Sequence, residues 1–493
     1  MTDLDDLPAP PRQSDLAGTE IPLDLPPPPA SLGETGLESH LLIQLLVKLL
    51  FMSDELTEAS ASQRLKLPYK VVEELFRQLR MQKLCELKGA STNIGILYRY
   101  GLTDLGLARA RDFMEVSQYV GPAPVPLWQY ESMIQRQSVS NVRIDRRSLE
   151  EALAHLILPP QLIEQLGGAV NSGSPIFLYG ESGNGKTVIA EAIGELLGRL
   201  GGSEILVPYA IEVDNEIIQV YDPETHVAVE VGNGSEASVS GRKTSLNYDA
   251  RWVLCKRPVV FVGGELTLQM LDLLFNPISK YYEAPPQVKA SGGVFIIDDF
   301  GRQQVQPHDL LNRWTVPLEK GLDFLTLHTG KKFHVPFDTL VVFATNIEPC
   351  KLADEAFLRR IGNKIYVGDP TPEAYAEIFR RYCQKRGLPF EAEAVEYLYR
   401  EYYRKYRLSL RSCHPRDLIE QIVSIAKFQG ISPSLDRQLL DRGCQIYFPL
   451  KLLPPEMAGP DGGKPPVPAP GSTPGTLRPA FPRRTPPPSA GSR

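Results

Sequence analysis

The sequence predicts an α/β fold: a three-layer, parallel-sheet core, preceded by a small α+β domain and followed by a small helical one. Three observations carry this. The apolar runs Ile176-FLY, Val294-FII and Leu340-VVFA are continuous, as expected of strands covered on both faces. Helical segments alternate with them from about residue 146. After Pro370 the apolar period becomes helical through four segments ending near Phe448.

The elements follow in chain order. Residues 1–36 hold eight prolines, seven acids and one base, which leaves too little apolar surface to offset ordering, so a disordered acidic tail is expected. Residues 37–116 form one small domain. His40-LLIQLLVKLLF reads as a buried helix, Ala59-SASQRL as a second, and Val71-VEELFRQLRMQKL as a third. Cys85-EL and Ile96-LYRYGL are β-like, with the loop KGASTN between them, and Thr103 suits the N-cap of a closing helix, Asp104 to Glu115. Three helices and a hairpin resemble a winged helix. Residues 117–145 read as a linker, 146–368 as the α/β domain with an insert at about 214–258, and 369–450 as the helical domain. Residues 451–493, with thirteen prolines, six bases and two acids, read as a disordered Pro-rich basic tail.

Length and charge exclude several classes. The 493 residues correspond to roughly three or four folded units of ~100–200 residues. The net charge of -6 is too mild for a general nucleic-acid binder. The apolar run His40 to Met52 is too short and too polar, with Gln44 and Lys48, to span a bilayer, and the acidic start does not fit a secretory signal. A cytoplasmic protein without membrane insertion is expected. Six scattered cysteines with no C-x-x-C argue against a disulfide framework or a zinc site.

The chemistry concentrates in Gly180-ESGNGKT, which follows the strand Ile176-FLY and opens a helix with Val188, Ile189, Ala192, Ile193 and Leu196 on one face. This is G-x-x-x-x-G-K-[ST] in its strand-loop-helix context. Gly180, Gly183 and Gly185 let the backbone N–H groups of Gly180, Glu181, Ser182, Gly183, Asn184 and Gly185 turn inward on phosphate oxygens. The helix N-terminus adds partial positive charge. Lys186 can reach the outer phosphates of ATP, and the Thr187 hydroxyl can hold Mg²⁺. The strand Val294-FII ends in Asp298, the natural Mg²⁺ partner, and Asp299, positioned to polarise an attacking water.

Over residues 146–450 the order of further motifs resembles an AAA+ ATPase, a P-loop NTPase. Leu340-VVFATN ends in Asn346, similar to the sensor-1 position. Asp354-EAFLRRIGNKI resembles the arginine-finger segment, in which Arg359 or Arg360 would act on a neighbouring subunit's nucleotide. His414-PRDLIEQI resembles the sensor-2 helix, with Arg416 facing the γ-phosphate in cis. Asp299 departs from the Glu usual in the family and resembles the initiator and helicase-loader branches. The resemblance implies a homo-oligomer, most often a hexameric ring, that hydrolyses ATP and remodels a protein client or a protein–nucleic acid partner. Two other readings stand: a DNA-binding regulator and a nucleotide-dependent scaffold with little turnover.

Ahead of the insert, Glu204-ILVPYAIEV is expected to supply the second core strand, and after it Ile217-IQVYDPETHVAV reads as a hairpin around Asp222-Pro223. Gly232-NGSEASVSGRKTS reads as a mobile loop and Leu266-TLQMLDLLF as an amphipathic stretch. Tyr281 and Tyr282 are candidates for a substrate-gripping loop, against the plainer reading of half-buried rings beside the sheet. Arg251, Lys256 and Arg257 form a basic cluster that would solvate a strand or touch nucleic acid. For residues 37–116, eleven bases against ten acids and the pair Glu73-Glu74 favour protein docking over DNA.

Overall fold

The computed structural model describes residues 25–91, 97–199, 204–229, 238–239, 242–243, 248–352 and 355–448. The tail 451–493, most of the loop at 232–245 and Asp354 lie outside these residues.

The core is a five-stranded sheet in the order Val259–Val262, Val294–Ile297, Leu340–Thr345, Ile176–Tyr179 and Asn363–Tyr366, parallel at every pairing. Alternation along each strand sends successive side chains to opposite faces. Ile176, Leu178, Ile296 and Val342 pack on one side with Ile189 and Ile193 of the helix Lys186–Arg199. Phe177, Phe295, Val341 and Phe343 pack on the other with Leu310 and Trp314 of the helix Pro307–Lys320. Both faces are therefore apolar, which is why these strands read as unbroken runs.

The second core strand differs from expectation. Glu204–Pro208 pairs antiparallel with Trp252–Lys256 outside the core, and Val259–Val262 takes the sheet edge beside the acid-bearing strand. The inserted segment thus runs from 204 to 258. Its hairpin joins Ala210–Val213 to Glu216–Gln219 through Asp214-Asn215, both at positive φ (55° and 63°), the conformation a two-residue turn between twisted strands requires. The Asp222-Pro223 segment that the sequence singled out is a later turn. Leu266-TLQMLDLLF forms a single 3₁₀ turn, Gln269–Leu271, followed by the strand Leu274–Asn276.

The stretch 117–145 is built into the structure rather than linking two bodies. Val125–Pro126 pairs parallel with Ala210–Val213 at the edge of a second five-stranded sheet, and the helix Leu127–Arg136 buries Tyr130, Met133 and Ile134 against it. Residues 25–36 also pack, although composition marked them as tail. Leu25 contacts this β-rich core, the Asp249 N–H donates to the Pro26 carbonyl at 2.9 Å, and Thr35 is fully buried.

Residues 37–116 fold close to expectation. Helices Ser39–Ser53, Glu58–Leu65 and Tyr69–Met81 precede an antiparallel pair, Cys85–Ser91 with Leu97–Leu102, and Glu55–Thr57 adds a third strand. The first strand continues through Lys88–Ser91, where a loop was expected, with a register shift between Leu87 and Gly89. Thr103 caps Asp104–Val116 by accepting from the Gly106 N–H at 3.1 Å. The apolar core of this unit runs on into Ala210 and Ile217 of the insert. At the other end, Pro372–Arg386, Ala392–Leu398, His414–Gln429 and Arg437–Tyr447 make the four-helix unit, with a π turn, Tyr399–Arg404, extending the second helix.

Candidate functional site

The phosphate loop turns on three glycines at positive φ: Gly180 (139°), Gly183 (87°) and Gly185 (86°). Close packing adds to the demand at two of them. A Cβ on Gly180 would meet the Val367 carbonyl oxygen at 2.3 Å, and one on Gly183 the Cys413 sulfur at 2.5 Å. Lys186, the first helical residue, is 7 % exposed; its ammonium donates to the carbonyls of Gly180 and Glu181, each at 3.0 Å, and to Asn346 Oδ1 at 2.7 Å. Burial pulls its pKa below the ordinary lysine value, while Asp298, Asp299 and Glu181 pull the other way.

The Leu340–Thr345 strand lies between the phosphate-loop strand and the acid-bearing strand, so Asn346 emerges between their tips. Its amide bridges them, accepting from Lys186 and donating to Asp299 Oδ1 at 3.3 Å. The Thr187 hydroxyl lies 3.0 Å from both oxygens of Asp298. Asp299 holds φ 48°, the left-handed region that an aspartate occupies more readily than most residues, in an exposed turn just past the strand. Three separate sequence motifs, the phosphate loop, the acid pair and Asn346, thus meet within hydrogen-bond distance.

The helical unit closes over the loop. The Cys413 N–H donates to the Gly183 carbonyl at 2.9 Å, and the Ser412 N–H to Asn184 Oδ1 at 3.3 Å. Asn184 is buried and donates to Asp369 at 2.7 Å, while Arg411 joins Asp369 to Glu181. A cleft of about 430 Å³ opens between the two units. Its polar wall includes Ser182, Lys186, Thr187, Asp298, Asp299 and Asn346. Its apolar wall comprises Leu156, Ile157, Leu158 and Ile378, with Arg416 on the lid side. Arg416 pairs with Asp417 at 2.8 Å, and Tyr447 anchors that carboxylate from behind at 2.8 Å.

Arg359 and Arg360 do not line this cleft. They follow the short helix Glu355–Leu358 and pair with Glu355 and Glu319 respectively. Tyr282 is 1 % exposed and Tyr281 partly buried in the strand Tyr281–Glu283, which fits the plain reading of these rings rather than a gripping loop. The basic cluster is overturned at two positions. Arg251 is 1 % exposed and ion-paired to Asp249, and Arg257 is buried with its guanidinium on the carbonyls of Gln137 and Gly292. Sequence reasoning missed the Leu156–Leu158 wall and the Asp369–Arg411 bridge. Neither has a motif, although Thr371, which caps the helical unit's first helix by accepting from the Ala374 N–H, follows closely on Asp369.

A family description, a domain of unknown function (DUF8689), matches residues 371–446, the helical unit. No curated protein matches the sequence. Among solved structures, NtrX from Brucella abortus in complex with ATP is similar at 14 % identity and TM-score 0.36, over 71 % of this chain and 65 % of that one. The same protein in complex with ADP is similar at 14 % identity and TM-score 0.34, over 59 % and 56 %. A RuvB mutant from Thermotoga maritima is similar at 12 % identity and TM-score 0.33, over 63 % and 72 %. The match spans less than two thirds of the NtrX chain. The strand-loop-helix at Gly180–Thr187 and the acid pair one strand removed from it in a parallel sheet give this chain a P-loop α/β fold, with a helical unit seated on the loop.

Proposed function

We propose that the chain binds ATP with Mg²⁺ in the 430 Å³ cleft and hydrolyses it, as one subunit of a homo-oligomeric ring that remodels a protein partner. One observation carries this: Asn346 ties Lys186 to Asp299, linking the phosphate-binding charge to the group placed to orient water. The residues fit the nucleotide. Gly185 at φ 86° has open space where a Cβ would stand, and the loop N–H groups with Lys186 favour an anionic triphosphate. Thr187 and Asp298 offer oxygen donors, the set a hard divalent cation prefers, and Mg²⁺ bound there would neutralise charge on the phosphate oxygens. Asp299 accepts a proton from, or orients, the attacking water, and Asn346 fixes its carboxylate. The apolar Leu156–Leu158 wall suits a stacked base. Arg416 meets the γ-phosphate in cis, and Arg359 or Arg360 that of a neighbour.

We read residues 37–116 as a winged-helix-like docking domain. Its third helix, Tyr69–Met81, sets Lys70, Arg77 and Arg80 against Glu73 and Glu74, and Arg77 pairs with Glu74 at 2.6 Å, so the net positive charge it offers a phosphate backbone is slight. The test compares two variants by nucleotide binding and phosphate release. Lys186→Ala is expected to lose binding, and Asp299→Asn to keep binding while losing turnover by at least ~100-fold. Wild-type turnover in Asp299→Asn would remove the assignment of the base.

A further inference from the structure

At the seam between residues 37–116, the 117–126 segment and the insert lies an open cleft of about 400 Å³ that shares no lining residue with the phosphate-loop cleft. Four tyrosines line it: Tyr119, Tyr209, Tyr221 and Tyr281, with Met52 and Met114 at its rim. Tyr119 meets Tyr281 edge-on with ring centroids 5.4 Å apart, and Tyr209 meets Tyr221 the same way at 5.4 Å. Both pairs meet at steep angles; Tyr221 also stacks on His226 with centroids 5.7 Å apart, and the Lys66 ammonium lies 5.8 Å from the centroid of Tyr209. The floor is fixed, since Tyr119 is buried and its hydroxyl donates to the Pro122 carbonyl at 2.8 Å. The hydroxyls of Tyr209, Tyr221 and Tyr281 have no hydrogen-bond partner among the described residues, so three phenolic donors remain available at an apolar wall.

Such a surface matches one kind of ligand closely. A polyproline II segment has no internal hydrogen bonds, so its carbonyls need outside donors, and its pyrrolidine rings pack on aromatic faces. It is also pre-ordered, which lowers the entropic cost of binding. This chain carries such a sequence: residues 451–493 contain thirteen prolines, among them Lys464-PPVPAP and Thr485-PPP. Elsewhere in the molecule Pro26 to Pro29 line one groove together with Trp128 and Trp252. Reach sets no limit. The stretch 449–493 would extend roughly 140 Å at ~3.1 Å per residue, against a radius of gyration of about 23 Å expected for a compact chain of this length.

We propose that the four-tyrosine cleft binds the proline-rich C-terminal segment of this chain, through ring stacking on its prolines and phenolic hydrogen bonds to its carbonyls. Covalent tethering raises the local concentration towards the mM range for short linkers, so even a weak contact is well populated. The segment would then bridge the N-terminal unit and the insert, away from the cleft that holds nucleotide.

The experiment uses the chain ended after Phe448, which keeps every described core, and a synthetic peptide of residues 464–488. Binding is read by calorimetry and by NMR of methionine methyl groups. Saturable binding that shifts Met52 and Met114 is expected, with little binding to the full chain because its own segment competes. Changing Tyr209, Tyr221 and Tyr281 together to Phe removes only hydroxyls and keeps the ring packing, and is expected to weaken the peptide at least tenfold. A peptide with its prolines replaced by alanine should not bind. Failure of the peptide to bind the truncated chain, with its melting transition intact, would overturn the proposal. So would binding indifferent to the three Phe substitutions, or equal binding by a peptide of residues 1–22.

Discussion

Two buried lysines, one in each half of the molecule, mark how differently those halves are built. Lys186 sits at the phosphate loop with three acceptors and three carboxylates near it, and Lys48 sits in the helix Ser39–Ser53 among leucines. Lys48 is 2 % exposed and has one hydrogen bond, to the Ser117 carbonyl at 3.0 Å. Burial lowers the pKa of both, but opposing acids act only on Lys186. The α/β half spends its burial of charge on a site that an anion completes. In the N-terminal half and the insert, buried charge ties segments distant in sequence to one another, and Arg251 is the clearest case.

The sharpest test of the α/β half concerns the arginines proposed to act across subunits. Because Arg359 and Arg360 do not line the cleft of their own chain, a variant lacking both is expected to lose ~10³-fold in turnover or more while keeping nucleotide affinity. Mixing it with Lys186→Ala subunits should restore part of the activity at mixed interfaces. Specific activity independent of protein concentration, with no complementation, would assign the arginines no role across subunits.

The same contrast explains which parts could be read from sequence. The phosphate loop, the acid pair and Asn346 are short motifs, each at the end of a strand whose apolar run announces it. The lid's helices have a clear period, and Thr103 and Thr371 are local caps. The insert escaped because its pairings are long-range. Val125 pairs with Ile211, and Trp252 with Pro208, and no local pattern distinguishes Glu204–Pro208 from a core strand. Arg251 read as a solvated base because the partners that bury it, Thr35, Pro124 and Asp249, include two more than 100 positions away. The Leu156–Leu158 wall escaped for another reason, since three aliphatic residues in a loop carry no chemistry until a cleft forms around them.

Arg251 should carry the largest single stability effect in the N-terminal half. It donates to Asp249, to the carbonyls of Thr35 (2.9 Å) and Pro124 (3.2 Å), and to Gln129. Arg251→Ala would leave the Asp249 carboxylate buried and unpaired, at a cost of about 3 to 5 kcal/mol. Hydrogen exchange should show residues 25–36 losing protection first, with nucleotide binding at the remote cleft retained in the folded fraction. Loss confined to less than ~1 kcal/mol would mean that this junction is not what fastens the N-terminal stretch.

Lys48 offers a change of opposite sign. Its pKa is lowered to about 8 from 10.5 by burial. A depressed lysine costs stability wherever it is charged in the fold, so the deficit is complete below pH 8 and disappears as pH rises through 10.5. Lys48→Met is therefore expected to stabilise the protein at pH 7 by roughly 1 to 3 kcal/mol. The wild type should gain on the variant between pH 8 and 10.5 in urea titrations. A destabilised variant would give the Ser117 hydrogen bond more weight than the desolvated charge.

The smallest effect joins stability to the site. His414 follows Cys413, whose backbone holds Gly183, and it lies among the rings of Tyr403, Tyr447 and Phe448 with Nδ1 2.9 Å from the Tyr403 hydroxyl. Burial lowers its pKa to about 4 from 6.5, Arg411 adds to the shift, and Asp417 and Asp369 oppose it. The fold therefore holds the neutral ring. Between pH 6.5 and 4 the unfolded chain binds the extra proton, so the stability this histidine contributes is present above 6.5 and lost as pH falls towards 4. Comparing the wild type with His414→Phe between pH 7 and 5, where most carboxylates remain ionised in both, should isolate a difference on the order of 1 kcal/mol. Because the folded ring stays neutral through this window, nucleotide affinity of the folded fraction should hold in both proteins while stability falls only in the wild type. Equal stability profiles for the two proteins would remove the buried neutral imidazole as a source of acid sensitivity.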